Sequence, residues 1–452
     1  MDTQAFSQRF KLAIVMLFLL ALGGLRWLTS VHAQASVQTG KAAYAKLSPQ
    51  QQLGERLFRD ERFTAPNGDF ATSCRTCHLF DEDPQGQRAY TDFFNLSWVP
   101  HRRQDPRRSE IRNSPTLYDA GLMPRLHFDG EFASLEELVK GTFSGRPLGW
   151  LPGDAAQAFA QLRAVLLKDA SYAPQFKQAY GVELAALPET QIVTLAARAV
   201  SDYVRTFKSP QNAPFDRFLR ANKLTWPDDE DVSRQARQFV SRIETLAGSG
   251  ALKLDKTFDA EALRGLKIFF STAGESAVGN CVTCHAPPLF TDFSFHNLGV
   301  SQAQYDQLHG AGAFARLTIP GVQASRPVAR LREAPNVTPG EVDLGHWNFV
   351  DVQRSPLRRA DENDEQFLQR MISTFKTPTL RHLAYSSPYF HNGAYTSLEE
   401  TLREMMRLSE LARAGQVRQA DPELARIKIT AADSGPLTAF LNALNEDLKA
   451  VF

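Results

Sequence analysis

The chain has 452 residues, 22% of them charged, and a formal net charge of +1. So even a balance carries no global electrostatic case for binding nucleic acid or an anionic membrane. The length allows two domains of ordinary size even after a leader is removed.

Met1 to Ala35 has the pattern of a secretory leader. Arg9 and Lys11 make a positive start, Leu12 to Leu25 is an apolar run broken only by Gly23 and Gly24, and Ala33-Gln34-Ala35 is a small-residue cleavage site. The run is shorter than the ~20 residues that span a bilayer, and Arg26 closes it. A soluble mature protein in the periplasm is expected, with no membrane attachment after cleavage behind Ala35.

Leu53 to Phe58 opens an amphipathic helix that leads into a loop carrying Cys74-Arg75-Thr76-Cys77-His78. Leu263 to Phe270 does the same ahead of Cys281-Val282-Thr283-Cys284-His285. These two pentapeptides hold every cysteine in the chain. A four-cysteine zinc site would want its knuckles ~15 to 20 residues apart and no histidine after each. A thioredoxin-like dithiol would follow a strand in an α/β pattern, which neither segment shows. Two thiols three positions apart can each add to a vinyl group of one haem, and the adjacent histidine then reaches the iron. Two covalent c-type haems are therefore expected on Cys74, Cys77, Cys281 and Cys284, with His78 and His285 as proximal ligands.

Between the motifs, Ile192, Leu195, Ala196, Ala199, Val200, Tyr203, Val204 and Phe207 recur at helical spacing, and Ser209-Pro210 ends the pattern. Pro214 to Gly250 is polar and carries the acidic run Asp228 to Asp231, so it reads as a linker. No long segment alternates at period two. The expected fold is all-α, with two cytochrome c-like haem domains and long loops, divided as 36–222 and 223–452. A capping box, Ser397-Leu398-Glu399-Glu400, starts a late helix that contains Met405 and Met406.

Several longer stretches carry a resemblance. Gln52 to Phe63 with Ser73 to His78, then Arg112-Asn113-Ser114-Pro115-Thr116, Phe128-Asp129-Gly130, Phe375 to Arg381 and Ser387 to Gly393 resemble, in order, the bacterial di-haem cytochrome c peroxidase family. That family includes the enzymes that mature methylamine dehydrogenase, and the likeness covers most of the mature chain. The resemblance implies that the C-terminal haem transfers electrons with a methionine as sixth ligand. Fourteen residues after His391 that ligand is Met405, although Met405 or Met406 as plain helix core is the alternative. The N-terminal haem would then be the place where hydrogen peroxide is cleaved, with electrons from a small donor such as a cytochrome c or a copper protein. His101 is the favoured sixth ligand there, out of His101, His127, His296, His309, His346, His382 and His391. The resemblance also implies a calcium ion held by Asn113 and the carbonyls of Ser386 and Pro388, where capping of the Ser114-Pro115 turn by Asn113 is the alternative.

Two departures from the family are expected to matter. Leu148 stands where the family has a glutamate that shuttles the peroxide proton, leaving Arg146 to polarise peroxide without taking up a proton. Phe128 replaces the tryptophan between the haems, with Trp98 and Trp150 as nearby substitutes. A peroxidase is thus set against a two-haem electron carrier or oxidase without peroxide chemistry, and more distantly against a maturation enzyme. The segment 301–370 contains an insertion, including Val342 to Asn348, with docking of the donor or cover for the C-terminal haem edge as its expected roles. The oligomeric state stays open, a homodimer included.

Overall fold

The structure is a computed structural model that describes residues 47–66, 71–82, 88–91, 112–272, 279–324 and 342–446. The leader, Trp98 and His101, and residues 325–341 of the insertion lie outside the described residues. By packing, Pro49–Leu79 and Tyr90–Asp447 form one compact unit, and Met1–Ser48, Phe80–Ala89 and Leu448–Phe452 form a second, small one. All that follows concerns the first.

The unit is mostly helical, as the missing period-two pattern predicts. Its one two-stranded ladder with described side chains is antiparallel, pairing Phe295 with Lys376 and His296 with Phe375. Helix Pro49–Arg59 begins on proline, whose fixed φ suits the first helical position. Its buried face, Leu53, Leu57 and Phe58, lies against helix Glu189–Val204, where Ile192, Ala196, Ala199, Val200 and Tyr203 are buried. Gly54 lets the two backbones approach, because a Cβ there would sit 1.9 Å from the carbonyl oxygen of Ala199.

The second half repeats this device. Helix Ala260–Phe270 crosses helix Ser434–Asn442 at Gly265, whose added Cβ would sit 1.9 Å from the carbonyl oxygen of Pro436. At both crossings the next nearest side chain is aromatic: Tyr203 Cβ at 2.8 Å in the first, Phe440 Cβ at 2.8 Å in the second. The repeat legible around the two pentapeptides is therefore a repeat of helix packing as well.

The linker expectation needs correcting. Pro214–Ala221 and Val232–Gly248 are helices. Their Phe215, Phe218, Ala236, Phe239 and Ile243 are buried in one core with Phe269, Phe270, Phe290 and Phe440. Wide polar faces around a narrow apolar stripe gave the segment a linker's composition. The insertion is likewise no open loop in its described part. Val342, Leu344, Trp347 and Val350 form a core of their own with Tyr305, Phe314, Phe367, Leu368, Met371 and Ile372. Of the four methionines behind the leader, Met371 is thereby assigned to packing.

Candidate redox site

Both Cys-x-x-Cys-His segments line a single cavity of about 670 Å³. Each closes with the same main-chain hydrogen bond. The amide of His78 donates to the carbonyl of Cys74 at 2.8 Å, and that of His285 to the carbonyl of Cys281 at 2.8 Å. The second turn starts from Asn280 in the left-handed region, φ 53°, whose carbonyl accepts from the Thr283 hydroxyl at 2.7 Å. All four cysteines are free thiols. Burial pushes Cys74 and Cys281 up to about 12, so they rest protonated.

The rings of both histidines are prepared as neutral ligands. His285 Nδ1 lies 2.9 Å from the carbonyl oxygen of Phe290. A carbonyl only accepts, so Nδ1 carries the proton and Nε2 keeps its lone pair. Burial lowers the pKa of His285, with the Phe290 carbonyl pulling the other way. Burial, and then the charge of His127, lowers His78 to about 4. The donor set fits two haems: paired thiols on tight turns, neutral imidazoles, and a cavity shared by both.

The sixth-ligand expectation for the C-terminal haem gains a discriminating fact. Met405 lines the cavity and packs against the core of Val300, Leu408, Leu424 and Ile427, whereas Met406 is not among its walls. Both Met residues sit on helix Leu398–Arg413, whose capping box is formed: Glu400 N donates to Ser397 Oγ, and Ser397 N to Glu400 Oε2. His391 also lines the cavity, stacked on Phe375 at 3.5 Å between centroids.

Around the N-terminal motif, Thr72 Oγ donates to the carbonyl of Pro147 at 3.1 Å, and Trp150 Nε1 to that of Phe63 at 3.1 Å. These bonds hold the turn Gly145–Gly149 against the haem segment. Leu148 in that turn is 2% exposed and faces the cavity, as does Arg146. At the position expected to hold an acid the side chain is apolar, with the cation Arg146 beside it. Phe128 lines the cavity too, and its carbonyl accepts from Lys376 N at 2.6 Å.

Sequence reasoning missed what holds Phe128 in place. Arg112 is half-buried between two buried carboxylates: it forms an ion pair with Asp129, and it donates from Nε and Nη2 to Asp343 at 2.6 and 2.5 Å. Asp343 belongs to the insertion. So does His346, which stacks on Phe295 at 3.9 Å and whose Nδ1 donates to the carbonyl of Asp129 at 2.7 Å. The insertion thus braces the Arg112 loop and the Phe128-Asp129-Gly130 turn, a role neither of its expected ones included.

Asn113, Ser386 and Pro388, the residues expected to hold calcium, all line the cavity. Asn113 Nδ2 donates to the carbonyl of Pro388 at 2.5 Å, and its buried Oδ1 has no hydrogen-bond partner among the described residues. Of the other histidines, His296 is gripped at both ring nitrogens, by Asp292 at 2.8 Å and Asp421 at 2.7 Å, so it offers iron no lone pair. Burial lowers its affinity for a proton, but the two carboxylates outweigh that and hold it protonated. His382 is fully buried, stacked on Tyr118 at 4.1 Å and bonded through Nε2 to Ser209 at 2.9 Å. His309 is not among the residues that line the cavity, and His127 is.

Comparison with known proteins places the chain among relatives of one kind. The family model described as di-haem cytochrome c peroxidase matches residues 48–224. The cytochrome-c peroxidase IdrP1 of a Pseudomonas species is 25% identical over 406 residues, covering 87% of this chain and 80% of that protein. The methylamine utilization protein MauG of Methylophilus methylotrophus is 22% identical over 394 residues, covering 87% and 81%. Among solved structures, a MauG-like protein associated with microbial copper homeostasis matches at TM-score 0.53 and 21% identity, covering 89% of this chain and 90% of that one. The diheme peroxidase BthA of Burkholderia thailandensis matches at TM-score 0.53 and 18% identity, covering 88% and 86%.

Proposed function

Because the chain belongs to the di-haem cytochrome c peroxidase family of oxidoreductases, we propose that it is a periplasmic enzyme reducing hydrogen peroxide at the His78 haem. A small donor protein, a cytochrome c or a copper protein, supplies the electrons through the His285 haem. The observation that carries this reading is the one cavity onto which both pentapeptides, Met405 and Arg146 open.

Cys74 and Cys77 would hold the first haem and Cys281 and Cys284 the second. When bound, the haems supply the one-electron steps that no side chain here provides. The protein's part is placement. Phe290 orients His285, and Met405 supports a thioether ligand that raises the potential of the second haem and keeps it reducible by a donor. Arg146 offers a fixed positive charge to a polarised peroxide oxygen. Asn113, with its buried amide oxygen, and the carbonyls of Ser386 and Pro388 form an oxygen-rich wall suited to calcium. His101, which lies outside the described residues, would be the sixth ligand of the first haem.

The test is magnetic resonance and optical spectroscopy of the oxidised and half-reduced protein. A high-spin N-terminal haem on half-reduction, with rapid peroxide consumption, supports the enzyme. The second reading, an electron carrier or oxidase without peroxide chemistry, is favoured by Leu148 and Phe128 at the cavity. It predicts two haems that stay low-spin in both states.

A further inference from the structure

Resting on that reading, we infer that His127 and Glu131 are the proton-delivery pair of the His78 site, doing the work of the acid that Leu148 replaces. Turning one hydrogen peroxide into two waters consumes two electrons and two protons. The donor protein supplies the electrons, but the protons must enter the cavity from water. Leu148 has nothing to exchange, and a guanidinium such as Arg146 does not give up its proton at neutral pH.

The turn Leu126–Phe132 provides what the wall lacks. Leu126 N donates to the carbonyl of Phe132 at 2.9 Å, closing a tight loop that carries His127 and Glu131. His127 Nδ1 lies 3.2 Å from Glu131 Oε2. Both side chains line the same cavity as His78, yet they are 35% and 36% exposed. They are therefore open to water while also lining the cavity. The His127 ring is braced edge-on by Phe132, 5.0 Å away at 84°. Phe132 in turn packs on Gly141, where a Cβ would come within 2.8 Å of it. Gly141 lies in helix Leu135–Phe143, which runs into the Arg146–Leu148 turn. The pair is thus linked through Phe132 and Gly141 to the helix that leads into the turn from which the acid is missing.

The charged groups around the pair are few. His78 feels the charge of His127. Asp129 lies within 4.8 Å of both pair members, but its carboxylate is committed to Arg112. Arg112, Arg146 and Lys376 are the Arg and Lys side chains on the cavity wall, together with His296, which Asp292 and Asp421 hold protonated. In operation, His127 takes the proton from one peroxide oxygen and returns it to the other. The O–O bond then breaks with departure of the first water, and the second oxygen leaves as water after taking the donor's two electrons and two protons that pass in turn from solvent through Glu131 and His127.

The holoprotein with reduced donor is assayed as wild type, Glu131→Gln, Glu131→Asp and His127→Gln. The expected result is a drop in kcat/KM of roughly ten- to hundredfold for the Gln variants, a flattened pH profile, and substantial recovery in Glu131→Asp. A second readout is independent of turnover. Hydrogen cyanide must leave its proton with a cavity base before cyanide can bind the half-reduced protein, so its binding rate falls in parallel in the Gln variants. Wild-type rates in both assays overturn the inference. So does a change in spin state of the first haem in His127→Gln, which would make His127 an iron ligand. If even the wild type ignores peroxide, the peroxidase reading fails, while cyanide still decides the pair.

Discussion

Asp343→Asn tests whether the insertion is structural. Asp343 is 4% exposed, takes two charge-assisted hydrogen bonds from Arg112, and also accepts from Gly345 N at 2.9 Å. Asparagine keeps the shape and the bond to Gly345 but removes the charge and one acceptor. An exposed ion pair is worth about 0.2–1 kcal/mol, whereas breaking a buried one costs about 3–5 kcal/mol. Asp129 still faces Arg112 in the variant, so the lower end, about 3 kcal/mol, is expected. That is about a hundredfold in the unfolding equilibrium, read as a lower denaturation midpoint in urea. Burial would push the Asp343 carboxyl up, but Arg112 overrides it and holds it below the usual carboxylate range. Its contribution is therefore present above about pH 4 and lost as pH falls further, so the variant should also lose part of the wild type's acid sensitivity. A penalty under about 1 kcal/mol, with unchanged acid behaviour, would show that Arg112 does not depend on the insertion.

Gly54→Ala and Gly265→Ala should each cost at least ~1–3 kcal/mol by overpacking, since both added methyls collide with backbone; near-neutral thermal melts for either would refute the matched crossings. Met405→His should lower the potential of the C-terminal haem in a spectroelectrochemical titration, while Met406→Leu leaves it unmoved. The pKa of Glu446 is raised to about 7 by burial, with Asp216 adding to the shift and Arg381 opposing it. The folded state thus binds the extra proton, and stability is lost as pH rises from about 4.5 to 7, by at most about 1.4 kcal/mol per pH unit. Glu446→Gln should abolish that slope in denaturant titrations, and a slope that persists points to another group.

What was legible in the sequence is what local chemistry dictates. The Cys-x-x-Cys-His spacing, the capping box at Ser397 and the apolar face of Glu189–Val204 each depend on neighbours in the chain. The resemblance added Met405, which the cavity separates from Met406. The failures involve distant partners. The pairing of Arg112 with Asp343 spans 231 positions, and no local pattern announces it. The same holds for Phe215 and Phe218, which join a core completed by Phe440. His127 stood among seven candidate histidines, and only its spacing of four from Glu131 could have singled it out. His296 shows the reverse, a plausible ligand excluded because Asp292 and Asp421, far apart in sequence, occupy both its nitrogens.

The central claim is that the two haem sites act together on peroxide. Its most direct test mixes the fully reduced two-haem protein, free of oxygen and donor, with one equivalent of hydrogen peroxide and follows both haems optically. The account predicts that both are oxidised, one electron from each, with two waters formed. Haems that stay reduced over the same interval, in protein carrying its full complement of both, would contradict it.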